Sequence, residues 1–207
     1  MIVHGVELEK NIGEKKMTVN IFNIAPAGTE IPFEHHTGNV GHWIEDLAEL
    51  AGLQVNRGKG IDLPGLSKEI KTKSLESKSP NSIATMTIWD LINTPYPESA
   101  VFEKMQNHYT VEHSNVYRIV VNETNIDFSN PAIQKLLEEA YELGRQEIAE
   151  NFKDGIVLPY VRKTEYGQFE KVPNRDSYRF RIPVDSMKKL KGMAKSQFNS
   201  LFDVVDI

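Results

Sequence analysis

Between residues 40 and 51, apolar side chains fall at Ile44, Leu47, Ala48 and Ala51, the i, i+3, i+4, i+7 spacing of a helix with one buried stripe. Asn39 stands where an N-cap is expected and Gly52 where a chain leaves a helix. The period changes to two in Met17–Asn23 and again in Lys68–Ser74, where Ile70 and Thr72 alternate with Glu69, Lys71 and Lys73. After the turn residues Ser77–Ser82, Ile83–Ile88 continues the strand pattern and predicts an antiparallel partner for 68–74. Asn93–Pro97 reads as a loop, Ser99–Asn107 as a short helix and Ser114–Val121 as an apolar strand. Pro131 behind Asn130 opens an amphipathic helix expected to reach Phe152. Past Gly155, strands are predicted at Ile156–Arg162 and Tyr178–Ile182, with a hairpin over Arg162–Lys171 whose tip is Gly167. Helices over Val184–Lys191 and Lys195–Phe202 close the chain. The pattern predicts an α/β or α+β fold, a mixed central sheet flanked by helices.

Composition sets bounds on this picture. A length of 207 residues fits a single domain, or one with a small second lobe, and 40% hydrophobic with 26% charged residues marks a globular chain. No apolar run approaches the roughly 20 residues that span a bilayer, no signal-peptide core is seen, and there is no cysteine. A cytoplasmic protein without membrane association is therefore expected. The net charge of −5 is unevenly spread: residues 160–195 hold ten Lys and Arg against four Asp and Glu. A basic face on an acidic body is a footprint for a polyanion.

The densest chemistry lies in residues 60–73. Asp62 precedes the Pro64-Gly65 turn, and Glu69 and Lys71 share one face of the following strand while Ile70 points into the core. The turn brings Asp62 back toward Glu69, giving two hard oxygen ligands suited to Mg²⁺, with Lys71 beside them to orient or deprotonate water. Upstream, Glu45 lies on the shoulder of the helix stripe and Gly41 one turn before it. The alternative for each is an ordinary solvated strand or a boundary glutamate. Arg162, Lys163, Tyr166 and Lys171 in the predicted hairpin, Arg179 and Arg181 on one strand face, and Lys73 are candidate phosphate contacts. No P-loop, Gly-x-Ser-x-Gly elbow or Gly-x-Gly-x-x-Gly run supports kinase, serine-hydrolase or Rossmann readings.

Gly38-x-x-Gly41-x-x-x-Glu45, a loop, then Asp62 and Glu69-Ile70-Lys71-Thr72 resemble the PD-(D/E)XK nucleases. Within them the block is most similar to the branch holding the mismatch-repair endonuclease MutH and the restriction enzymes MvaI and BcnI. The resemblance implies a restriction-endonuclease-like fold with a DNA cleft and a catalytic core over about 38–121, and the basic balance of the later chain marks about 155–207 as the expected DNA-binding part. It implies that Asp62 and Glu69 bind Mg²⁺, that Lys71 acts at the nucleophile, and that Glu45 is the helix-borne acidic partner. The chain departs from that branch at Thr37, where MutH has a lysine, and near Ser114, where a second lysine would be sought.

The expected function is thus a Mg²⁺-dependent, sequence-specific endonuclease of double-stranded DNA, like a type II restriction enzyme. A MutH-like strand-nicking enzyme with a repair-protein partner, or a non-catalytic DNA-binding module on a nuclease fold, are the alternatives. One catalytic centre per chain would nick as a monomer, or cut both strands as a homodimer or by sequential turnover.

Overall fold

The computed structural model of the chain describes residues 7–12, 15–20, 25, 28–36, 40–120 and 127–202, with the backbone alone in 7–20 and 195–202. Thr37, Gly38 and the expected cap Asn39 lie outside the described residues, as do the ends of two expected strands at 21–23 and 121. Helices and strands are mixed, as the pattern predicts, but the strands divide among three sheets. The chain forms two compact units, residues 1–77 with 108–125, and residues 78–107 with 126–207.

In the first unit, β1 (Glu7–Ile12) and β2 (Lys15–Asn20) pair as an antiparallel hairpin. Helix α1 (Val40–Leu50) follows a short turn at Phe33–His35. It ends as the sequence predicts: Gly52 takes φ +79° and donates to the carbonyl of Glu49, while Leu53 donates to that of Ala48. Its buried stripe differs by a rotation. Val40, Trp43, Ile44 and Ala48 are buried and Ala51 is exposed, because indole burial outweighs that of a methyl group on the helix's last turn.

Strand β3 (Glu69–Ser74) carries the acidic and lysine motif. Its expected partner is overturned: β3 lies parallel to β5 (His108–His113), Glu69 opposite His108 and Lys71 opposite Thr110. Strand β6 (Ile119–Val120) pairs antiparallel to β5. The predicted strand 114–121 is therefore broken. Ser114–Tyr117 turns instead, with Tyr117 at φ +53° and its N–H donating to the Ser114 carbonyl. Apolar alternation cannot distinguish a strand from two half-strands joined by such a turn. Ile31, Val40, Ile44, Leu63, Leu66, Ile70 and Ile119 form this unit's core with Trp43.

In the second unit, β4 (Asn81–Thr87) pairs antiparallel with β8 (Ser177–Ile182), which also takes β7 (Gln168–Lys171). Helix α2 (Ile88–Asn93) begins where the sequence predicts a strand end, since Thr87 caps it by accepting from Asp90 N at 3.0 Å. Ser99 caps α3 (Ala100–Gln106) in the same way, and Asn130 with Pro131 opens α4 (Pro131–Lys153) as expected. The expected strand 156–162 is absent; only Tyr160 bridges to Glu170. Gly155 turns the chain at φ +73°, and Pro159 has no N–H to give a ladder.

The chain doubles back over 162–171 at Gly167 as expected, Thr164 N–H donating to the Gly167 carbonyl at 3.0 Å and Tyr160 bridging Glu170. A second hairpin joins β7 to β8 through residues 172–176, with Asn174 at φ +57°. Gly167 is buried against Phe180: a Cβ there would lie 2.2 Å from Phe180 Cζ. Phe180 in turn packs on Phe169 at 5.0 Å between ring centres, and Phe169 on Tyr141 of α4 at 5.4 Å. Edge-on pairs like these each contribute about 0.5–1.5 kcal/mol beyond area burial. Helix α5 (Val184–Phe202) runs through Gly192 as one helix where two are predicted.

Candidate active site

The loop between α1 and β3 builds the site. Asn56 organises it: its Oδ1 accepts from Gly58 N at 3.0 Å, and its Nδ2 donates to the carbonyls of Lys59 at 2.6 Å and Ile61 at 3.3 Å. The Asn56 N–H closes the loop on the Asp62 carbonyl at 2.8 Å. Gly60 meets this side chain in the left-handed region, at φ +102°. Leu63 and Lys68 then pair across the Pro64–Leu66 turn, so the chain doubles back immediately after Asp62.

The doubled chain fixes the Asp62 carboxylate. Its Oδ2 accepts the Ile70 N–H at 2.8 Å, against the strand between Glu69 and Lys71. Ile70 is buried in the core, as the alternation predicts. Glu69 is fully buried, which a half-exposed strand does not predict, and the Lys71 ammonium bonds its Oε1. Lys71 itself is half-buried, and one of its three donors is committed to Glu69.

Glu45 comes from α1. Burial first and the charge of Asp62 second hold its carboxyl above the usual carboxylate range, while His42 and Arg57 pull the other way. The two acids line one pocket of about 270 Å³ with His42, Asn56, Arg57 and Gly58. Three of the four expected catalytic residues are thus tied through Asp62 to one strand, and the fourth, Glu45, shares a pocket with Asp62 and is repelled by its charge.

Repelling carboxylates with hard oxygens fit a small divalent cation. Among the described residues no three His, Cys, Asp or Glu side chains form a ready ligand set. Mg²⁺ commonly takes one or two carboxylates and keeps its remaining positions for water and phosphate, so the residues present fit it.

Arg57, His42 and Asn56 were not singled out by the sequence. Arg57 Nη2 donates to Asp46 Oδ1 at 2.6 Å and Glu49 Oε2 at 3.0 Å, and its Nη1 to Glu45 Oε2 at 3.4 Å. The Glu49 bond first and the Asp46 bond second hold its guanidinium even further into the charged form. The one available signal was the run Asn56-Arg57-Gly58-Lys59-Gly60, a loop composition that places a cation near the site without naming its partners.

The candidate phosphate contacts fare differently. Lys73 is half-buried, with Nζ 3.3 Å from Ser77 Oγ. The other six belong to the second unit. Lys171 Nζ bonds the carbonyls of Val172 and Arg175, closing the β7–β8 turn, and Arg181 is paired with Glu170 and reaches the Pro80 carbonyl. Tyr166 packs on the core. Arg162 and Lys163 are exposed and Arg179 half-buried, and their side chains carry no ion pair among the described residues. Lys188 and Lys189 are also paired, to Asp185 and Glu165, so the basic excess of this segment is partly neutralised within it.

No family model matches the chain, and no curated protein is detectably similar to it in sequence. Among the described residues no helix is long and apolar enough to cross a membrane.

Proposed function

We propose that this protein is a Mg²⁺-dependent endonuclease of double-stranded DNA with the site Glu45, Asp62, Glu69 and Lys71, acting at specific sequences as type II restriction enzymes do. The observation that carries this reading is the Asp62 carboxylate bonded to the Ile70 N–H, inside the Glu69-Ile70-Lys71 run. An acid, a tight turn and a lysine-bearing strand are thereby joined by a geometric bond, where a solvated charged strand would leave Asp62 in water.

Asp62 and Glu69, with Glu45 beside Asp62, would hold Mg²⁺. When bound, the ion supplies Lewis-acid stabilisation of phosphoryl charge. Lys71 retains donors that orient a water molecule or a phosphate oxygen. In-line attack by that water breaks the phosphodiester and leaves a phosphate on one side and a hydroxyl on the other, with the water's proton passing to a base at the site or to solvent. The Ile70 N–H fixes the orientation of the Asp62 carboxylate. Arg162, Lys163 and Arg179 are the remaining candidates for phosphate contact, to be expected of a protein that binds DNA with steep salt dependence.

The test is cleavage of supercoiled plasmid, methylated and unmethylated, in Mg²⁺ by the parent, Glu69→Ala and Lys71→Ala. Discrete bands from the parent alone support the reading. Open circles alone turn it to a nickase of the mismatch-repair kind. Intact plasmid across several divalent metals and DNA sources, by a folded parent, overturns it.

A further inference from the structure

We propose that Arg57 is a counter-ion switch for the Glu45–Asp62 pocket: it neutralises Glu45 when no divalent cation is present, and turns its Nη1 to a DNA phosphate when a cation takes Glu45. This rests on the metal-dependent nuclease reading above and assigns it a residue outside the acidic and lysine motif.

The geometry of the fork carries the inference. Arg57 Nη2 is anchored twice, at 2.6 Å on Asp46 and 3.0 Å on Glu49. Nη1 reaches Glu45 at 3.4 Å, the longest of the three bonds. Long, poorly closed hydrogen bonds are the weak ones, so a cation that takes Glu45 displaces one weak contact and leaves the two anchors in place. Nη1, released from Glu45, is then able to donate a single charge-assisted hydrogen bond to a phosphate oxygen. The Arg57 side chain is 44% exposed, so a phosphate can approach it from solvent.

The loop keeps the arginine in this position. Asn56 bonds to Gly58, Lys59 and Ile61 and holds the backbone on both sides of Arg57. Charge also favours the exchange. One guanidinium faces Glu45, Asp46 and Glu49, and Asp62 lines the same pocket, so a cation is attracted even while Arg57 is in place. A lysine at 57 would carry the charge but could not bridge two anchors and a third oxygen.

The test uses the full chain, with Mn²⁺ as the metal probe and a duplex oligonucleotide in Ca²⁺ as the DNA probe. Free Mn²⁺ is read by electron paramagnetic resonance without DNA. Arg57→Ala is expected to bind Mn²⁺ about thirtyfold more tightly, the scale of a divalent ion and one unit charge about 4 Å apart in water. The same variant is expected to bind the duplex more weakly, with a log-affinity against log-salt slope lower by about one contact. Arg57→Lys should keep the parent's Mn²⁺ affinity and still lose the duplex contact. Urea midpoints establish that the variants are folded. Parent-like Mn²⁺ affinity and salt slope in Arg57→Ala, from a parent that binds both probes, overturn the switch alone. A parent that binds no Mn²⁺ overturns the nuclease reading and the switch with it.

Discussion

The Oδ2 of Asp62 accepts the backbone N–H of Ile70 at 2.8 Å, across a turn eight residues long. One carboxylate oxygen is thereby committed to structure, while the side chain lines a pocket with Glu45. Asp62→Asn keeps an acceptor for the N–H and should cost under about 0.5 kcal/mol. Asp62→Ala strands the N–H and should cost about 1–2 kcal/mol. Both should abolish cleavage. Urea unfolding of the two variants separates the structural role from the chemical one.

Glu69 is fully buried and its Oε1 receives the Lys71 ammonium. Lys71→Met removes the cation from a buried carboxylate and should destabilise by about 1–3 kcal/mol, less than for a fully buried pair because Lys71 is partly exposed. Adding Glu69→Gln removes the stranded charge, so the double variant should be more stable than Lys71→Met alone. A double-mutant cycle in urea reads that coupling directly. Lys71→Met and the double variant unfolding at the same urea concentration would contradict it.

Glu76 ties two turns of the first unit, accepting from Ser74 Oγ at 2.7 Å and Asn115 N at 3.0 Å. These bonds, the Ser74 hydroxyl first, hold its carboxyl below the usual range. A lowered folded pKa means the unfolded chain binds the proton more readily, so Glu76 stabilises above the unfolded value and the gain is lost as pH falls through the folded one. Glu76→Gln should therefore shift the urea midpoint downward at pH 7, and the gap to the parent should close on acidification below pH about 4.5. An equal gap at pH 7 and pH 3 would contradict this.

Gly167 and Gly192 should respond in opposite directions. A Cβ at Gly167 meets Phe180 at 2.2 Å, so Gly167→Ala should cost about 1–3 kcal/mol through overpacking. Gly192 lies exposed inside α5 with nothing within 4 Å of a Cβ. Gly192→Ala should stabilise by about 0.5–1 kcal/mol by raising helix propensity. Thermal melts of both variants check the pair.

Local rules carried the elements whose cause is local. Asn130-Pro131 opened α4, Gly52 closed α1, and period-two alternation placed β3 with Ile70 inward, because capping, left-handed glycine and strand pleat act within a few residues. The same alternation failed at 114–121 and 156–162, where the decision lies in the partner strand or a turn.

The site was legible to the same extent. Residue order alone shows that an acid, a turn and a Glu-x-Lys strand stand in succession, and that Glu45 lies on the shoulder of an amphipathic helix. Folding adds that β3 runs parallel to β5 instead of pairing with β4, that Glu69 is fully buried, and that Arg57 reaches three acids of α1. Those are long-range choices. Strand pairing depends on which edges fit together, burial on what the rest of the chain covers, and an ion pair on a loop closing over eight to twelve residues. No short window of sequence contains them.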